Sequence, residues 1–414
     1  MIKVLKKSKK IDDFSKNKIY NAIIKAMEDA NMINTVFAKE ISEKIEDEFI
    51  QSNKHQTSVE EIHDQVERYL MKYYLFDTAK EYIIFRNNNK PNIFKKRINI
   101  KPYEYPQLLE YVDAIRHSYW IHTEFNYSSD IQDLKINLNK KEQTAVTRAM
   151  LAISQIENTV KTFWGDLYKK LPKPEIAKVG ATFSESEVRH EDAYSHLLEI
   201  TGLNSEFEKL MEVPAIRRRI QYLEKTLNNS KSTENKEFFE SVILFSMFIE
   251  NVSLFSQFLV IMSFNKFRNT LKGISNAVEA TSKEEDLHAK FGFDIVNIIK
   301  QENPEWWTEE LIDDIKSQTF RAYEAEKEIV EWIFEEGDLE FLTKEQTLEF
   351  IKQRFNESLK AIGISSGFEI KKNILKEIEW FEDEVLTTKH TDFFYKRSIN
   401  YSKKAKSITE DDLF

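Results

Sequence analysis

Six side chains in the second half of the chain have types and spacings that suit metal chemistry. An apolar stripe at helical spacing runs Val146, Met150, Ile153, Val160, Trp164, and Glu157 falls on it where an apolar residue is expected. A second stripe carries Phe183, Glu187, His190, Tyr194 and Leu197. Glu250 is the one charged residue in the run 241–265. A fourth stripe aligns Glu285 and His288 with Ile295 and Ile299. Glu-x-x-His puts both side chains on one helix face, one turn apart, as chelation needs. Carboxylates buried without partners are costly, and four together repel one another unless cations sit among them. Two divalent ions balance four carboxylates, and a mixed oxygen and nitrogen donor set suits iron or manganese. Glu60 and His63 repeat the spacing near the N-terminus, but no lone core carboxylates accompany them there.

The elements that must position these groups are helices. The 414 residues are 41% hydrophobic and include 30 Phe, enough for a substantial core, while 8 Gly and 7 Pro are too few for a turn-rich β architecture. Helical patterns cover Glu142–Trp164, Phe183–Leu198, Glu240–Phe264, Glu285–Ile299 and Thr308–Phe334. Residues 241–265 are long and apolar enough to be weighed as a membrane span. Their scattered Ser, Asn and Gln, and the absence of flanking aromatic belts, favour a buried core helix, so no membrane partner is expected. No secretory apolar segment follows MIKVLKKSKK. A net charge of −10 disfavours nucleic acid as a partner. The chain has no Cys, which excludes disulfides, thiolate metal sites and a cysteine nucleophile, and agrees with a cytoplasmic location.

Residues 1–90 read as a separate small domain, with a hairpin around Lys6–Lys9, a helix after Ser15, a second over 36–50, a third capped by Ser58 and Glu61, and a fourth over 78–86. The polar run 86–91 ends in Pro and marks the boundary. The expected division is 1–90, a linker at 91–104, a helical domain at 105–396 and a charged tail at 397–414.

Glu … Glu-x-x-His … Glu … Glu-x-x-His is the ligand pattern of ferritin-like dimetal carboxylate proteins. Within it, EVRHEDAYSHLL at 187–198 resembles the radical-generating β subunit of class I ribonucleotide reductase. The resemblance extends over residues 105–414. It implies a mainly α, ferritin-like fold and a dinuclear centre on Glu157, Glu187, His190, Glu250, Glu285 and His288. It gives Tyr194 the place of the radical tyrosine and Trp120 that of the radical-transfer tryptophan. Glu284 stands where the family has an aspartate bonded to that tryptophan. Tyr401 would be the tail tyrosine, and DDLF at 411–414 the docking peptide for a catalytic α subunit. Glu157 in place of the frequent Asp implies a Mn/Mn or Mn/Fe centre, with Fe/Fe as the alternative. Glu191 or Asp192 would hydrogen-bond Tyr194 and hold it reduced. A chain without Cys cannot host the thiyl chemistry of nucleotide reduction, so a cysteine-bearing partner is required.

Residues 1–90 resemble the ATP-cone, a regulatory nucleotide-binding domain. Seven Lys against two Asp in residues 1–20 give it a basic edge. The resemblance implies ATP and dATP, with Mg, as effectors bound near Val4, Lys6, Lys7, Ser15, Lys18 and His63. A homodimer with nucleotide-dependent higher oligomers would result. Two rival readings stay open at this point: a free-standing dimetal oxidase, and a nucleotide sensor on a metal-binding scaffold.

Overall fold

A computed structural model describes residues 2–5, 11–52, 54–88, 91–365 and 367–386. The chain divides into two units, Met1–Asn92 with Lys101–Gln107, and Ile93–Ile100 with the chain from Leu108 onward.

In the first unit, β1 (Lys3–Leu5) pairs antiparallel with β2 (Ile11–Asp13), bringing Lys3 opposite Asp13. Then come α1 (Lys16–Asp29), α2 (Thr35–Gln51), β3 (Gln56–Ser58), α3 (Val59–Lys72) and α4 (Phe76–Asn88). β3 lies parallel to the other edge of β1, so the strand order is β2-β1-β3. The sequence reading missed this strand: three residues of QTS carry no apolar alternation. Ile19, Ile23, Met27, Ile41, Ile45, Val66 and Leu70 come from three helices and form one core. Ser58 and Glu61 form the expected capping box, and the Thr57 hydroxyl donates to the same Glu61 carboxylate at 2.6 Å.

The second unit is helical: α5 (Glu110–His117), α6 (Ser128–Gln132), α7 (Lys140–Lys170), α8 (Pro174–Thr201), α9 (Asn204–Glu208), α10 (Pro214–Asn229), α11 (Asn235–Leu244), α12 (Phe255–Arg268), α13 (Lys272–Glu302), α14 (Glu309–Ile333) and α15 (Lys344–Ala361). Between α11 and α12 the chain winds as a π-helix over Phe245–Ser253. The run Asn235–Arg268 has the length and hydropathy of a membrane span, but its apolar stretch is wholly buried inside the bundle. The principal helices extend beyond their apolar stripes because their ends are capped. Asn139 and Glu142 form a capping box for α7, Pro174 opens α8, and left-handed Gly202 closes it. Buried Asp130 accepts the Ile274 N–H at 2.8 Å, and Asp133 accepts that of Leu271 at 2.9 Å, fixing the start of α13.

Small residues let the ligand-bearing helices approach. A Cβ on Gly180 would lie 2.4 Å from the Trp164 carbonyl oxygen, and one on Gly292 would lie 2.0 Å from Ser246 Oγ. Gly180→Ala should therefore push α7 from α8. The overpacking, about 1–3 kcal/mol, should outweigh the gain of up to about 1 kcal/mol in helix propensity. Urea unfolding of the metal-free protein should show the lower midpoint.

Candidate metal centre

The six expected ligands come from four segments of the bundle: Glu157 from α7, Glu187 and His190 from α8, Glu250 from the π-helix, Glu285 and His288 from α13. None is more than 1% exposed. Their donor atoms form two overlapping groups, each with its atoms within 4.8 Å of one another. One is Glu157, Glu187, His190 and Glu285; the other is Glu187, Glu250, Glu285 and His288. Glu187 and Glu285 belong to both, so the geometry describes two adjacent subsites with two shared carboxylates.

The fit to cations shows in what these atoms lack. Both oxygens of Glu157 and of Glu187, Oε2 of Glu250, Oε1 of Glu285 and Nδ1 of both histidines are buried with no partner outside the cluster. The nearest of them face one another, His190 Nδ1 to Glu285 Oε1 at 2.9 Å and His288 Nδ1 to Glu187 Oε1 at 3.1 Å. Each opposite ring nitrogen is engaged. His190 Nε2 lies 2.8 Å from Glu284 Oε2, a pure acceptor. His288 Nε2 lies 3.0 Å from Ser186 Oγ, whose own hydrogen goes to the Phe183 carbonyl. Both contacts place the proton on Nε2 and turn the Nδ1 lone pair into the cluster, as metal-ligating imidazoles require.

Electrostatics agree. Burial raises the carboxyls of Glu157 and Glu250 well above the usual carboxylate range, and neighbouring carboxylates reinforce the shift. Burial works against charge on His190 and His288 too, yet the surrounding glutamates hold both rings well above the usual imidazole range. Burial also opposes ionisation of Glu285, but the adjacent imidazoles keep it well below the carboxylate range. Without cations, then, the cluster neutralises itself with protons. Two divalent ions would take over that role and release them.

Around the ligands lies a second ring of bonds, part of which sequence reasoning did not find. Trp164 Nε1 donates to Glu250 Oε1 at 3.0 Å. It sits two turns beyond Glu157 on the same stripe, a spacing that could have flagged it. Arg189 is 4% exposed and grips Glu284 with both terminal nitrogens at 3.2 Å. No spacing rule links residues that far apart in sequence. Glu284 also accepts Trp120 Nε1 at 3.2 Å and Ser118 Oγ at 3.3 Å. Glu284 therefore bridges Trp120 to His190 despite its extra methylene, and the two rings lie 5.8 Å apart, nearly parallel.

Tyr194 lies one turn beyond His190 on α8 and is 1% exposed. The expected bond from Glu191 or Asp192 is not made. The polar side chain beside the Tyr194 hydroxyl is Thr281, whose own hydroxyl donates to the Ala277 carbonyl. Asp192 is two residues away, about 200° around the helix, and faces solvent. Burial, reinforced by Glu157, holds the phenol well above its usual range.

In the N-terminal unit, Val4 is buried in β1, Ser15 precedes α1 without capping it, Lys18 pairs with Asp12 at 3.0 Å, and His63 Nδ1 meets the Tyr82 hydroxyl at 2.9 Å. Lys6, Lys7, Tyr401 and 411–414 lie outside the described residues.

Comparison with known proteins agrees with this geometry. The family "Ribonucleotide reductase, small chain" matches residues 97–374, and "ATP cone domain" matches 2–91. A probable ribonucleoside-diphosphate reductase small subunit of Invertebrate iridescent virus 3 is 22% identical, covering 76% of this chain and 86% of its own. The ribonucleotide reductase R2 subunit of Clostridium botulinum superposes with a TM-score of 0.62 at 17% identity, covering 68% of this chain and 89% of its own. The dimanganese(II) NrdF of Streptococcus sanguinis gives 0.59 at 15%, covering 69% and 99%. The ferritin-like fold is common to these structures. With an ATP cone preceding a helical bundle that gathers four carboxylates and two imidazoles, the chain belongs to the ribonucleotide reductase small-chain family.

Proposed function

We propose that this chain generates an oxidising equivalent at a manganese-containing dinuclear centre and passes it to a cysteine of a separate catalytic α subunit, under control of ATP and dATP at its cone. Family membership implies a large catalytic partner. The observation that carries the reading is the unbroken link from cluster to tryptophan: His190 to Glu284 at 2.8 Å, Glu284 to Trp120 at 3.2 Å. A bound metal pair would supply the one-electron oxidation, drawn from oxygen or a reduced oxygen species. The chain's residues do the rest. Loss of an electron makes the Trp120 indole N–H strongly acidic, and Glu284 Oε2 is placed to receive that proton. Arg189 fixes Glu284 in direction through two hydrogen bonds. Tyr194 has no base within hydrogen-bond reach to take its phenol proton, which disfavours its oxidation and supports an equivalent held on the metals. Glu157 would offer a bound ion both of its oxygens, an anionic donation that suits manganese. Tyr401 continues the path across the subunit interface, and residues 411–414 dock on the partner. With no cysteine of its own, the chain cannot perform the reduction alone. It works in the cytoplasm as a homodimer, and nucleotide with Mg at the cone sets its higher assembly.

Mixing experiments test the reading. The chain alone should reduce no ribonucleotide, and a cysteine-bearing α subunit should restore turnover. Trp120→Phe or Tyr401→Phe should reduce turnover to background and leave the metal spectrum unchanged. Full turnover after deletion of 404–414 would refute the docking role.

Metal identity is read from the metal-free protein loaded with Fe, Mn or both and then activated. Turnover should track manganese, and Tyr194→Phe should retain it. A sharp tyrosyl signal with full turnover in the iron-only sample would overturn this.

At the cone, calorimetry on the intact chain should show ATP and dATP binding, with dATP changing the oligomeric mass. Lys6→Ala combined with Lys7→Ala should weaken both nucleotides, because the triphosphate is the anchor.

A further inference from the structure

Of the helices that carry the cluster, only the one bearing Glu250 contains a π-helical segment among the described residues. A π-turn holds one more residue than the α ladder would, so it rotates the helix on its N-terminal side by about 100° relative to the helix on its C-terminal side. Glu250 lies inside this segment. Relaxation to an α ladder would swing its carboxylate away from Glu187, Glu285 and His288.

The segment is held from outside by side chains that capture its carbonyls. Arg354 of α15 donates Nε to the Asn251 carbonyl at 2.8 Å and Nη2 to Asn251 Oδ1 at 2.6 Å. Asn251 Nδ2 returns bonds to Ser358 Oγ at 2.7 Å and to the Arg354 carbonyl at 3.2 Å. Ser358 Oγ lies 3.3 Å from the Met247 carbonyl. At the far end, Arg219 of α10 reaches the Ser253 carbonyl at 3.4 Å, while another of its nitrogens holds the Ala152 carbonyl of α7 at 2.5 Å. These contacts flank Glu250 at positions −3, +1 and +3. Both guanidinium groups are buried, at 2% and 0% exposure. Neither has the close bidentate carboxylate that normally offsets such burial: Glu357 is 4.0 Å from Arg354, and Glu326 is 3.8 Å from Arg219. Arg354 spends its bonds on Asn251, one on the carbonyl and one on the side chain. Arg219 gives one bond to the π-segment and the others to Ala152 and Gln155 of α7, tying the two elements together.

We propose that Arg354, seconded by Arg219, is a positioning residue that locks Phe245–Ser253 in its π register and so holds Glu250 in the Glu250–His288 subsite. This rests on reading the cluster as a two-metal centre. Arg354 hydrogen-bonds to the π-segment and lies over Phe255. It meets Asp286 of α13 through charge alone, so its removal should weaken the Glu250–His288 subsite before the Glu157–His190 one.

The test uses the full chain, stripped of metal and titrated with Mn(II), with bound ions counted after desalting and followed by electron paramagnetic resonance. Wild type should bind two ions per chain with an exchange-coupled spectrum. Arg354→Met should keep about one ion with an uncoupled spectrum, the second weakened at least about tenfold. Arg354→Lys keeps the charge but loses the fork, and should behave like Arg354→Met. If Arg354→Met does not fold, Asn251→Ala removes one leg of the clamp and should weaken the second ion alone. Two coupled ions of wild-type affinity in Arg354→Met, or in Asn251→Ala where that variant replaces it, would overturn the proposal. Full rescue by Arg354→Lys, or equal weakening of both ions, would do the same. If wild type itself takes up no ion pair, the two-metal reading fails, and this proposal with it.

Discussion

Everything in the larger unit answers to one electrostatic constraint: four carboxylates share a volume from which water is excluded. Desolvation and mutual repulsion both oppose their ionisation, and no lysine or arginine touches the cluster oxygens among the described residues. The histidines can relieve the conflict only by taking up protons, which spoils them as donors. Two divalent ions resolve it, returning the imidazoles to neutrality and giving each orphaned oxygen and nitrogen a partner. Trp164, Ser186 and Glu284 are the fixed frame that keeps these atoms converging in the meantime.

That constraint explains why the centre was legible in the sequence. A glutamate on an apolar stripe is conspicuous because it violates the pattern around it, and four such violations in series, two with a histidine one turn on, leave few alternatives. The outer ring was less legible because its members obey ordinary patterns. Trp164 reads as one more apolar residue, Ser186 as a small helical one, and Arg189 as one basic residue in a charged stretch. Their roles depend on which helix each face meets, which spacing along one helix does not encode. The supposed carboxylate bond to Tyr194 is not made: Asp192 is near in sequence but on the opposite side of the helix, and Glu191, one turn back on the near side, does not reach the hydroxyl.

The π-segment was invisible for a related reason. The polar residues of 241–265 are scattered around the whole helix, so no stripe defines a phase, and a one-residue change in winding leaves no trace in composition. In the cone, helix faces and the Ser58–Glu61 box were readable from periodicity and capping chemistry. β3 was not, because its three residues derive their strand character from pairing with β1.

The two halves of the cluster offer donor sets alike in composition yet unequal in freedom. Glu250 has one oxygen tied to Trp164, while Glu157 has both available. An ion beside Glu157 would find both oxygens of a carboxylate unshared, whereas one beside Glu250 would share one oxygen with the Trp164 N–H. A pair of unlike ions would have a preferred order of seating, set by an indole hydrogen bond and not by the ligand roster.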